Sequence, residues 1–112
     1  MNELTTLRLY LPQGARAKPT KLWHHLSAPA LSHHLLKAAK RADISQALLI
    51  SVHAGYLPGS KLSHQHPESA PAHHPLCIEL VDTEEKLRGF LRSHAHELGH
   101  VRSILYKCEL GI

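Results

Sequence analysis

The chain has 112 residues, 43% of them hydrophobic, and a formal net charge of +4, the size and composition of one small globular domain, residues 1–112. No run approaches the roughly 18 apolar residues of a membrane span, and Met1-Asn2-Glu3 lacks the basic start of a secretory leader, so a cytoplasmic protein that is not membrane-embedded is expected. The lysines and arginines are scattered and aromatic residues make up only 4% of the chain, which argues against the clustered basic face with stacking rings that nucleic acid requires.

Leu7, Leu9 and Leu11 alternate with Arg8 and Tyr10, the period of a half-buried strand. Pro12, Gly14 and Pro19 then break the chain, and Leu22-Trp23-His24-His25-Leu26 is ambiguous. Ser27 suits an N-cap with Pro29 in the first turn. Leu31, Leu35, Ala38, Ala39 and Ala42 follow at helical spacing, with Lys37, Lys40 and Arg41 near the end, where positive charge is favoured. A helix from about Ala28 to Ala42 is predicted. Leu48, Ile50 and Val52 alternate with Leu49, Ser51 and His53 as a second strand.

From Gly55 to Pro75 the chain is polar and irregular, with Pro58, Gly59, Pro67, Pro71 and Pro75. A connection of that length is functional or disordered, and a flexible loop over 55–75 is expected. Leu76 to Val81 reads as a third strand. Asp82-Thr83-Glu84-Glu85 opens a second helix, because Asp or Thr can cap and acidic residues suit the first turn. Leu87, Phe90, Leu91, Ala95 and Leu98 form its apolar stripe and Gly99 its C-cap. Val101 to Leu110 is the last strand. Cys77 and Cys108 each lie in a strand-like apolar run and read as reduced, buried thiols.

The order β-α-β-β-α-β is that of an α+β ferredoxin-like domain, a four-stranded antiparallel sheet with two helices on one face. Leu7, Leu9, Leu11, Leu48, Ile50, Val52, Leu76, Ile78 and Leu80 are expected to meet the helices. Tyr10, Leu49, Cys77, Val81, Ile104 and Tyr106 are then on the other face, mixed with Arg8, Ser51, His53 and Glu79. That face is apolar for a solvated one, which points to burial against other subunits.

The run Cys77-Ile-Glu-Leu-Val-Asp-Thr-Glu-Glu-Lys-Leu-Arg-Gly-Phe-Leu91, the start Leu7-Arg8-Leu9-Tyr10-Leu11 and the turn Ala54-Gly55-Tyr56 resemble a PII-like family known as domain of unknown function 190. The resemblance implies a homotrimer that signals or regulates rather than catalyses. It further implies a partner loop at 55–75 aimed at a membrane transporter or ion channel, and an effector such as an adenine nucleotide near Gly55, Tyr56 and Arg102. The family is similar to proteins encoded beside or fused to fluoride-efflux channels, which points to ion homeostasis. Two features depart from a glycine-rich phosphate loop: the joint before the last strand is only Leu98-Gly99-His100-Val101, and Leu57 stands where a second glycine would fall.

Twelve histidines raise a second reading, binding of a divalent metal. His64, His66, His73 and His74 share the long loop and could collect Zn²⁺, Ni²⁺ or Cu²⁺ in a metal-tolerance role. His96-Glu97-Leu98-Gly99-His100 spells the zinc-protease signature, two ligands one helical turn apart with a glutamate base. On a helical wheel begun at Leu87, however, His96 and His100 fall at about 180° and 220°, on the solvent side, and a solvated helix end is expected in place of a catalytic site. His94 falls on the apolar stripe as a packed, hydrogen-bonded side chain.

Overall fold

A computed structural model describes residues 3–17, 29–66 and 71–112; the expected N-cap Ser27, the helix start at Ala28 and the piece 22–26 lie outside them. The alternating leucines form β1 (Glu3–Pro12), and α1 (Leu31–Arg41) follows, then β2 (Gln46–Ser51). Two short strands, β3 (Ala54–Gly55) and β4 (Ser63–His64), pair with each other. After them come β5 (Pro75–Asp82), α2 (Glu84–Ser93), a 3₁₀ turn (Ala95–Glu97) and β6 (Arg102–Glu109). The main sheet has the order β2-β5-β1-β6, antiparallel throughout. This is the expected ferredoxin-like arrangement.

The core lies on one face of that sheet. Leu7, Leu9 and Leu11 of β1 and Ile78 and Leu80 of β5 are buried against Leu31, Leu35, Ala38 and Ala39 of α1 and Leu87 and Phe90 of α2. The helix stripes recur every three or four residues, so each helix buries a single face. Thr83 caps α2 by accepting from the Lys86 amide at 3.3 Å, with Glu84 and Glu85 in the first turn. Asp82 accepts from the amides of Thr83 at 2.7 Å and Ser45 at 2.8 Å, which ties the start of β2 to the end of β5. α1 begins at Leu31 with no side-chain cap, so Pro29 precedes the helix; its carbonyl instead accepts from the Ala17 amide.

One expectation is reversed. In the ladder Leu49 pairs with Ile78 and Ala47 with Leu80, and residues opposite one another point to the same face. Ala47 and Leu49 therefore pack on the core, while Leu48 and Ile50 join the open face, Leu48 being 48% exposed. The run Ala47-Leu48-Leu49-Ile50 is apolar in both registers, so alternation alone leaves its face undecided. The reversal makes the open face more apolar than expected. Leu48, Ile50, Tyr10, Cys77, Val81, Ile104 and Tyr106 share it with Arg8 and Glu79. Arg8 and Glu79 pair at 2.8 Å, which neutralises the charge at its centre.

Candidate functional site

Gly55 closes β3, and Tyr56 beyond it is 67% exposed. Arg102 opens β6, opposite Tyr10, on the open face. Ser51 pairs with Leu76, Leu76 with Leu11, and Tyr10 with Arg102, so all three candidates lie at one end of the sheet. Arg102 belongs to the β6 edge, whereas Gly55 and Tyr56 follow the β2 edge by way of β3, outside the main sheet. Three strand spacings of about 4.8 Å separate those two edges by roughly 14 Å. A cleft of about 810 Å³ is at the other end and includes Glu3, Glu84 and Glu109 beside Lys107. Its acidic lining suits a phosphate poorly.

The segment expected to be a flexible loop is held at several points where it is described. Ser60 donates its amide to the Leu57 carbonyl across Pro58 and Gly59, with Gly59 at φ +80°, the geometry of a type II turn. The Gln65 amide bonds the His53 carbonyl at 2.8 Å. At the far end, Gln13 and Gly14 donate their amides to the carbonyls of His74 and Ala72. A Cβ on Gly14 would lie 2.7 Å from the Ala72 Cβ, so only glycine allows the two backbones this close.

His74 is wholly buried. Its Nε2 lies 2.6 Å from the Val52 carbonyl and its Nδ1 2.6 Å from the Ser63 hydroxyl. A carbonyl only accepts, so Nε2 carries the proton and Nδ1 accepts from Ser63. Both nitrogens of His74 are thus engaged, which corrects its reading as one of four loop imidazoles open to a metal. His64 and His66 are exposed and His73 is half-buried. Among the described residues, His64, His66, His73 and His74 form no group of three within ligating distance.

The zinc-protease signature also comes apart. α2 ends at Ser93, so His96 and Glu97 lie in the 3₁₀ turn and His100 in the turn beyond it; the two histidines are not one turn apart on a helix. His96 points to solvent, and the Glu97 side chain turns inward with 6% exposure. Glu97 meets two imidazoles there, His34 of α1 and His94. Burial would push its carboxyl up, but these partners outweigh burial and hold it below the ordinary glutamate value. His94 is the packed residue expected, its ring 4.5 Å from that of Phe90. The approach of His34 to Glu97 depends on how α1 docks, which no local pattern encodes. Cys77 is buried, which pushes its thiol up and away from nucleophilic use. Cys108 is half-buried, 3.1 Å from the Thr6 hydroxyl.

Residues 4–107 match the family described as an uncharacterized ACR, domain of unknown function 190, and the chain belongs to that family. Its fold is PII-like. The structure of CPII from Thiomonas intermedia K12 bound to ADP and bicarbonate superposes with a TM-score of 0.60 at 13% identity, covering 98% of this chain and 90% of that one. A second CPII structure, bound to ADP, AMP and bicarbonate, gives 0.58 at 14% identity over 98% and 90%. A PII-like signalling protein from Thermus thermophilus gives 0.55 at 16% identity over 96% and 86%. No curated protein matches the sequence. No helix among the described residues is long and apolar enough to cross a membrane.

Proposed function

We propose that this protein is a non-enzymatic PII-like regulator in the cytoplasm. It works as a homotrimer and binds an adenine nucleotide between subunits. The observation that carries the reading is the open sheet face. Leu48, Ile104 and Tyr106 are 48%, 39% and 43% exposed on a surface whose central charges are paired with each other. Closing such faces on one another removes apolar area from water at about 25 cal/mol per Å². It also brings the β2 edge of one chain towards the β6 edge of the next. A cleft between subunits then holds Gly55 and Tyr56 from one chain and Arg102 from its neighbour, and a guanidinium is suited to gripping phosphate. The bound ADP of CPII, a protein of the same fold, supports a nucleotide as the effector class. In this reading segment 55–75 serves as the partner loop, with a transporter or channel as its target.

Light scattering at micromolar concentration should give three chain masses, and Leu48→Asp with Ile104→Asp should give one. Calorimetry with ADP, AMP and ATP should show binding to the trimer that Arg102→Ala weakens at least tenfold. A monomer mass for the unmutated chain overturns the assembly. A trimer that takes up none of the three nucleotides overturns the effector.

A further inference from the structure

We propose that His34, His94 and Glu97 form a site for a divalent cation, with His96 at its mouth and Zn²⁺ as the occupant. The site goes beyond the regulatory reading and uses none of the residues assigned to it. The donors come from two places far apart in sequence: His34 from α1, and His94 and Glu97 from the short joint that follows α2. Nε2 of His34 lies 2.7 Å from Oε2 of Glu97, and Nδ1 of His94 lies 3.0 Å from Oε1. All three donor atoms fall within 4.8 Å of one another.

These distances are close to what zinc needs. Ligands at about 2.0–2.1 Å on tetrahedral corners are separated by roughly 3.3 Å; the two imidazoles meet different oxygens of Glu97, so a modest turn of the carboxylate presents one oxygen to both, and the remaining edges, none longer than 4.8 Å, close by about 1.5 Å at most. Two imidazoles and a carboxylate are borderline donors that suit zinc. The Phe90 ring against His94 holds that imidazole in place, the kind of support that orients metal ligands. His96 is 67% exposed and its Nε2 lies 3.7 Å from Oε1 of Glu97, so a small swing of its side chain delivers a fourth ligand; a water fills that corner otherwise.

The chemistry balances without an external reagent. In the metal-free protein each imidazole presents N–H to the carboxylate. On binding, each ring carries its proton on the other nitrogen and offers the freed lone pair to the cation. The loop histidine His74 cannot do the same, because Val52 and Ser63 use both of its nitrogens.

The test uses the full, tag-free chain, stripped with a chelator and titrated at pH 7.5 with Co²⁺ and then Zn²⁺. One equivalent of Co²⁺ should give the intense visible bands of a tetrahedral ion, and Zn²⁺ should displace it and raise Tm. His34→Gln, His94→Gln and Glu97→Gln should each weaken binding about 100-fold, and His96→Ala about tenfold. His64→Ala, His66→Ala and His73→Ala together should leave it unchanged. His96 is exposed, so its variant remains informative if an inner variant fails to fold. Absence of micromolar binding in the unmutated chain overturns the proposal. So does binding that survives His96→Ala and Glu97→Gln at full strength, or that is lost in the triple loop variant. Neither readout depends on nucleotide or on assembly.

Discussion

The connection between β2 and β5 runs from Val52 to His74, while that between α2 and β6 runs only from His94 to Val101, and each turns a polar side chain inward. In the long connection the buried group is an imidazole between a carbonyl and a hydroxyl, with both nitrogens in use. In the short one it is the Glu97 carboxylate between two imidazoles. The first arrangement can only hold the chain. The second holds the chain and also collects three donors that can turn to a cation. What a histidine does here depends on what faces it, and its density along the chain is a poor guide.

The largest expected effect tests the long connection. His74→Ala removes two hydrogen bonds and leaves the Val52 carbonyl and Ser63 hydroxyl without that partner, at a cost of about 2–4 kcal/mol. A fall in Tm of more than about 8 °C should follow, with faster amide exchange at Gln65. An unchanged Tm would break the view of His74 as a pin. Gly14→Ala comes next. The new methyl meets backbone and Cβ of Ala72, and crowding of that kind costs about 1–3 kcal/mol, read as a lower urea midpoint.

A smaller effect lies outside both connections and serves as their control. Burial alone would push the Asp82 carboxyl up, but the amides of Thr83 and Ser45 and the ammonium of Lys86 outweigh it and hold it below the usual aspartate range. A carboxyl lowered in the folded state contributes stability above its unfolded value, about 3.9, and loses it as the pH falls through the folded one. Stability should therefore drop on acidification below about pH 4, and Asp82→Asn should flatten that part of the profile. The smallest effect is expected in the short connection: His96→Ala should change metal-free stability by less than about 0.5 kcal/mol, because the side chain lies at the surface. A larger loss in a chemical melt would mean that the joint relies on His96 as it does on Glu97.

Several of these groups are legible in the residue pattern alone. Thr83 with Glu84 and Glu85 marks the start of α2, and the observed cap is Thr83. The leucines of β1 mark a strand with one buried face, and Leu7, Leu9 and Leu11 are fully buried. The helical wheel places His94 on the packed side of α2. The end of α2 is not legible in the same way. The apolar stripe continues to Leu98, yet the chain tightens into a 3₁₀ turn after His94, where the amides of Glu97 and Leu98 reach back three residues. That tightening accompanies the inward turn of Glu97, whose partner His34 lies on α1, far earlier in the chain.

Element order, helix faces and the capped start of α2 depend on neighbours within one or two turns, and local periodicity and capping chemistry carry them. Three other features depend on pairing between distant segments. The face of β2 was decided by the register that sets Leu49 on Ile78, since an apolar run on both faces has no preference of its own. The role of His74 was decided by Val52 and Ser63, and the gathering of His34, His94 and Glu97 by the docking of α1 beside the α2–β6 joint. Burial and hydrogen-bond partners arise only when remote parts of the chain pack together, and for a histidine they determine whether a nitrogen lone pair is left to use.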